Sequence, residues 1–232
     1  MTRVAMISGA NRGIGLAVAR ALRADGFALS LGVRRPETVA ALFPEDGPAV
    51  VALPYEAAER GAGDAWVAAT LARFGRIDVL VANAGIAPFV GLEDGADDDL
   101  DTMFEINVKA PFRLIRAALP ALKACGTGRV VTVASLSGKR VLGLNAGYQM
   151  SKFAVVGLTH AVRRLGFEHG IRATALCPGY VATDLTAGVT EIPAAAMTAP
   201  EDLARLVATV VALPNTASVA ELLVNCRYET TL

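Results

Sequence analysis

Val4-Ala5-Met6-Ile7-Ser8-Gly9-Ala10-Asn11-Arg12-Gly13-Ile14-Gly15 is the stretch from which the fold follows. Residues 4–7 form a short apolar run bounded by a turn, which predicts a buried strand. Beyond Gly15 the pattern to about Asp25 predicts a helix, and Gly26 stands where a capping glycine would end it. Between strand and helix, Gly9, Gly13 and Gly15 fall at G-x-x-x-G-x-G spacing. Without side chains there, a pyrophosphate can approach the backbone, and the N–H groups that open the helix meet its charge. A glycine-rich turn in isolation is only a tight turn. One that joins a strand to a helix at the head of an alternating pattern predicts a dinucleotide site.

The alternation continues outward from this turn. Further strands are predicted over 27–33, 50–53, 77–81, 129–134 and 171–177, and a seventh within 217–232 around Glu221. Helices are predicted over 60–74, over 100–124 as one long helix disturbed at Pro111, over 146–169, and from Pro200 onward. Short apolar strands alternating with longer helical segments predict α/β architecture: a doubly wound parallel sheet of about seven strands with helices on both faces. Trp66, the only tryptophan, is expected to pack from its helix face. Asn83-Ala84-Gly85 forms a small-residue turn after the fourth strand, as expected where a cofactor lies against the backbone.

Composition narrows the class. The 232 residues carry 22 Lys+Arg and 22 Asp+Glu, so net charge gives no reason to expect nucleic acid or an anionic membrane as partner. A hydrophobic content of 53% allows a large core, and one domain over residues 1–232 is expected. Cys125, Cys177 and Cys226 are widely spaced and have no partners at metal-ligand spacing, so they are expected to be free buried thiols with no metal site. With no signal-peptide pattern and no apolar run near the ~18 residues of a membrane span, the expected location is the cytoplasm.

The chemistry points to Tyr148-Gln149-Met150-Ser151-Lys152. Tyr148 and Lys152 are four apart and so share one face of the predicted helix. A free tyrosine titrates near ~10, and a nearby ammonium favours its phenolate. Upstream, the strand over 129–134 delivers the Ser135 hydroxyl to its carboxyl end. Together the three side chains are suited to grip and protonate a carbonyl oxygen. At the end of the second strand Val33 stands where an acid would hold a ribose 2′-OH, and Arg34 follows it. With Arg12 before the second glycine, this pattern predicts a receptor for a 2′-phosphate and hence NADP(H) rather than NAD(H).

These motifs, in this order, resemble the short-chain dehydrogenase/reductases over essentially all of residues 3–213. The stretch 8–15 is similar to that family's T-G-x-x-x-G-x-G turn, with Ser8 preserving the hydroxyl; 77–85 resembles its fourth strand and N-A-G turn; 178–183 resembles its P-G-x-V-x-T segment. The resemblance implies a Rossmann-type fold and four catalytic positions, Asn107, Ser135, Tyr148 and Lys152. It implies cofactor contacts from Gly9, Asn11, Arg12, Gly13, Ile14, Gly15, Asn83, Ala84 and Gly85, and from Tyr148, Lys152, Pro178, Gly179, Val181 and Thr183. The acid that meets adenine in the family has Glu56 as its nearest counterpart, one methylene longer and open in register. The Gly-Gly that often follows the last strand is absent, so the end of that strand is expected to differ.

The implied reaction moves a hydride between nicotinamide and a small alcohol, aldehyde or ketone, with Tyr148 as acid and base, Ser135 on the substrate oxygen, Lys152 lowering the tyrosine pKa and holding the ribose, and Asn107 anchoring a water. A second reading is a dinucleotide-binding regulatory or scaffold protein without turnover; loss of Tyr148 or Lys152 would favour it, and both are present. Lys139 and Arg140 are expected to be a solvated loop pair, and His160 and His169 packed or solvated. The segment 184–199 is expected to form a short lid over an apolar pocket. The two helices over 100–124 and 146–169 are expected to pair with their symmetry mates in a homodimer or homotetramer.

Overall fold

The computed structural model describes residues 2–44 and 47–229. Seven parallel strands lie in the order β3-β2-β1-β4-β5-β6-β7: β1 Val4–Ser8, β2 Ala28–Val33, β3 Val50–Pro54, β4 Val79–Ala82, β5 Arg129–Val133, β6 Arg172–Pro178 and β7 Glu221–Val224. Every residue of β1, β2, β4 and β5 is buried, which is why these strands are apolar without polar alternation. The helices are α1 Gly13–Ala24, α2 Glu37–Ala40, α3 Ala62–Phe74, α4 Asp97–Phe104, α5 Ala110–Ala124, α6 Ala146–Gly166 and α7 Pro200–Ala212.

Strand periodicity assigns alternate residues to two cores. Ala5 and Ile7 of β1 pack with Val18 and Leu22 of α1 and Leu203 and Val207 of α7 on one face. Met6 between them faces the other way, into the core with Trp66, Leu114, Ala118 and Val162. Trp66 is 1% exposed, and its indole N–H donates to the Ser30 hydroxyl at 2.9 Å, so its expected packing role holds. A Cβ at Gly32 would lie 2.6 Å from the Trp66 ring, which explains a glycine inside β2.

The chain lays β1, β2 and β3 outward in one direction and then returns to add β4 on the other side of β1. The loops after β1 and β4 therefore diverge over opposite faces and leave a crevice at the carboxyl ends of the strands.

The expected single helix over 100–124 is corrected by the structure. It begins earlier, at Asp97, and is two helices joined by one π-helical turn, Glu105–Lys109. Pro111 has no N–H to give the carbonyl of Asn107, and the wider turn absorbs that missing bond. Other element ends differ from the expected bounds by a residue or two, and the last turn of the helix over 146–169 is a 3-10 turn, Phe167–His169. The three cysteines are free, but only Cys177 is buried. Among the described residues no helix is long and apolar enough to cross a membrane.

Candidate active site

The two glycine turns are held together by one hydroxyl. Ser8 Oγ accepts hydrogen bonds from the backbone N–H of Asn83 at 2.9 Å and of Ala84 at 3.0 Å, while the Asn83 side-chain amide donates to the carbonyls of Ser8 and Gly9. Gly9 and Gly13 have φ of 65° and 53°, a region where a side chain would be strained. A Cβ on Gly15 would sit 2.3 Å from the Gly9 carbonyl oxygen. The first turn of α1 has no side-chain cap, so its N–H groups remain available to an anion. These features fit a dinucleotide pyrophosphate at the Gly9–Gly15 turn.

From this turn a cleft of about 830 Å³ runs along the carboxyl edge of the sheet. It brings together Asn11, Arg12 and Ile14 from the first turn, Arg34 and Glu56 from the ends of β2 and β3, and Ala84 and Gly85 from the end of β4. Ser135, Tyr148 and Lys152 also line it, as do Pro178, Gly179, Val181 and Thr183. Asn107 does not line it.

Each catalytic candidate is fixed by a different local device. Ser135 caps a 3-10 turn, Leu136–Gly138, and donates to the Pro178 carbonyl at 3.3 Å. Asn107 sits in the π-helical turn, 3% exposed; its carboxamide exchanges two bonds of 2.9 Å with the backbone of Ile86 and donates to Ser151 Oγ. Ser151 Oγ in turn donates to the Tyr148 carbonyl at 2.7 Å. Lys152 donates from Nζ to the Val133 carbonyl at 2.9 Å, and Nζ lies 5.5 Å from the centre of the Tyr148 ring. Sequence reasoning missed Asn145, whose side chain caps α6 by accepting from the Tyr148 N–H at 3.1 Å and bonds the backbone of Val90 and Pro88 in the loop after β4. Asn three residues before the tyrosine at a helix start was the available signal.

Electrostatics depart from expectation at the tyrosine. Burial pushes the Tyr148 phenol up, outweighing its interaction with the Ser135 hydroxyl, and burial pushes the Lys152 ammonium down to about 8. Each enclosed group favours its neutral form, so in the free protein desolvation exceeds the expected lowering of the phenol by the ammonium.

The loop pair is also corrected. Lys139 bridges Glu221 at 2.8 Å, and Arg140 forms a two-pronged pair with Glu229, both prongs 2.7 Å; neither is a solvated loop cation. His160 is half-buried and bonds Glu221 at 2.7 Å, while His169 is exposed. Arg12 pairs with Asp184 at 2.7 Å. Glu221, Glu229 and Asp184 were absent from the expected site because their partners lie far away along the chain.

The depressed lysine makes stability depend on pH. With a folded value near 8 and an unfolded value of ~10.4, the unfolded chain binds more protons between them, so Lys152 makes the fold less stable below pH 8 and ceases to do so as pH rises through that window. A shift of this size corresponds to about 3 kcal/mol. The raised phenol opposes the gain only above ~10. Lys152→Met is expected to flatten the rise in urea-unfolding stability between pH 8 and 10; parallel profiles for both proteins would refute the assignment.

Comparison with known proteins places this geometry. The sequence profile of short chain dehydrogenases matches residues 3–193. Agropine synthesis reductase of Rhizobium rhizogenes is 39% identical over 227 residues, covering 97% of this chain and 53% of that protein, so the chain spans about half the length of this relative. Acetoacetyl-CoA reductase of Shinella zoogloeoides is 30% identical over 221 residues, 89% of this chain and 90% of that one. The crystal structure of an alcohol dehydrogenase from the archaeon Thermococcus sibiricus, complexed with 5-hydroxy-NADP, superposes with a TM-score of 0.85 at 32% identity over 96% of both chains. The seven-stranded order, the glycine turn and a profile match over most of the sequence lead to one conclusion: the chain belongs to the short-chain dehydrogenase/reductase family.

Proposed function

We propose that this protein is an NADP(H)-dependent oxidoreductase that interconverts a small alcohol and its aldehyde or ketone. The observation that carries the reading is the convergence of Ser135, Tyr148 and Lys152 on a cleft that begins at an uncapped helix N-terminus and a glycine turn. When bound, the nicotinamide supplies hydride in reduction and takes it up in oxidation. Tyr148, neutral in its buried setting, donates its proton to the carbonyl oxygen, while Ser135 hydrogen-bonds that oxygen. Lys152, held by the Val133 carbonyl, binds the ribose and stabilises the phenolate left after proton transfer. Asn107 anchors a water leading from Lys152 to solvent; a Cβ at Gly85 would be 3.2 Å from its Oδ1 and 3.7 Å from the lysine Nζ, so the two side chains flank one small gap. Residues 184–199 act as the lid, and the free thiols suit a cytoplasmic setting.

Cofactor choice rests on Arg34 and Arg12. Arg34 is exposed on the cleft beside Val33, and no carboxylate at that strand end competes with a 2′-phosphate. Arg12 is shared with Asp184, so the phosphate must draw it from an exposed ion pair, a small penalty of ~0–1 kcal/mol. The Thermococcus sibiricus enzyme is complexed with an NADP analogue, in keeping with this choice.

Half-exposed Phe112 on α5 and Met150 and Phe153 on α6 support a homodimer or homotetramer assembled through these helices.

Tyr148→Phe keeps the ring and removes the proton, so turnover is expected to collapse while cofactor titration stays near wild type; wild-type-like turnover would remove Tyr148 from its role. Val33→Asp combined with Arg34→Ala is expected to shift preference towards NAD(H). Losing one charge-assisted phosphate contact, worth ~1.5–3 kcal/mol, lowers NADPH affinity roughly ten- to a hundredfold. Equal catalytic efficiency with NADH in the unmodified protein would show that the arginines do not read the phosphate. For assembly, light scattering at micromolar concentration is expected to give a dimer or tetramer mass, and a monomer mass would exclude it.

A further inference from the structure

The substrate end of the cleft has a charged wall that the oxidoreductase chemistry does not use. Arg140, from the loop before α6, and Arg227 and Glu229, from the segment after β7, all line the same cleft as Ser135 and Tyr148. The Arg140 side chain is 14% exposed and that of Glu229 is 9% exposed. The guanidinium grips this carboxylate with Nε and Nη2, both at 2.7 Å. Arg227 approaches the same carboxylate at 3.9 Å and lies over the Tyr180 ring. Two cations thus share one carboxylate, leaving a positive charge. Around them the wall is apolar, with Phe89, Leu142, Leu144 and Leu185 exposed on the cleft.

The pair has a particular geometry and place. A planar guanidinium fork bound at both prongs is matched to a carboxylate rather than to a single-point acceptor. Its partner belongs to a segment anchored beside the reaction site, because the Val224 carbonyl accepts from the Gly179 N–H at 2.8 Å. Beyond that anchor Arg227 and Tyr228 are exposed, Tyr228 at 88%, and the Arg140 pair is the closest ion pair that Glu229 makes among the described residues.

We propose that Arg140, assisted by Arg227, is a specificity-determining receptor for a carboxylate on the substrate, and that Glu229 fills this receptor in the free protein. The proposal rests on the oxidoreductase reading and deepens it: the substrate class becomes an oxo acid or hydroxy acid with an apolar body. Replacing Glu229 by a substrate carboxylate exchanges one ion pair for another, so the half-buried Arg140 is never left unpaired. A neutral substrate offers no such exchange and meets an occupied receptor. This is discrimination by what the buried cation would lose.

The test compares C4 to C8 oxo acids with their methyl esters, using kcat/KM for NADPH-dependent reduction and titration calorimetry of the same compounds. The variants are Arg140→Gln and Glu229→Gln. Wild type is expected to favour the acid over its ester by about tenfold or more for at least one chain length, the size of one charge-assisted contact. Arg140→Gln is expected to drive that ratio towards one, and Glu229→Gln to raise it several-fold by removing the competitor. If the pair were only a clamp for the segment after β7, both variants would break it and move the ratio the same way. Equal or same-direction shifts, or no acid preference in wild type at any length, overturn the proposal. If Arg140→Gln does not fold, the Glu229→Gln ratio alone decides, since a clamp cannot improve on removal. Absence of turnover with every compound would overturn the oxidoreductase reading instead; the calorimetric ratios must then still diverge for the carboxylate receptor to stand.

Discussion

The Ser8 hydroxyl, accepting from two consecutive backbone N–H groups of the β4 turn, is the contact on which the rest of the site depends. It joins the carboxyl ends of β1 and β4 at the point where the winding of the sheet reverses, and a crevice can open only there. With these two turns drawn together, Gly15 has no room for a side chain, and the opening of α1 is aimed along the crevice. A serine keeps this clasp as well as the threonine more usual in the family, because only the oxygen takes part.

Around that crevice stability gives way to chemistry. Lys152 is enclosed, with the Val133 carbonyl as its hydrogen-bond acceptor among the described residues, and the phenol of Tyr148 is displaced upward by burial as well. An ammonium so placed opposes folding at neutral pH, and such groups persist where a function uses them. Their positions are over-determined by neighbouring side chains: Asn145 and Ser151 hold the backbone of Tyr148, and Asn107 ties Ser151 to the loop after β4. The π-helical turn before Pro111 puts Asn107 within reach of both, so an irregularity in one helix sets the height of another.

A chain of zero net charge still concentrates its ion pairs. Lys139 and His160 meet Glu221 at the start of β7, and Arg140 meets Glu229 after it, so two partly buried clusters link the loop after β5 and α6 to β7 and the segment that follows. Pairs as sheltered as Arg140–Glu229 are costly to break from one side, because the remaining charge is left with little solvent. Arg140 and Glu229, which line the cleft, therefore give it a defined charged wall where the family pattern of the sequence has little to say.

Local pattern was enough for the architecture and for naming most of the candidate residues that the fold brings to one cleft. Apolar runs buried on both faces, glycines at fixed spacing and residues four apart on a helix are properties of neighbouring positions, and they made the strands, the glycine turn and the Tyr148–Lys152 pair legible. The tertiary structure decided what depends on distance along the chain. It decided that Arg140 meets Glu229, that Arg12 meets Asp184, and that the asparagine of an apparently single helix lies in a widened turn. It also decided the sign of the tyrosine shift. Sequence shows that a lysine is near, but how much water both groups lose is set by everything folded around them, and here desolvation exceeds attraction.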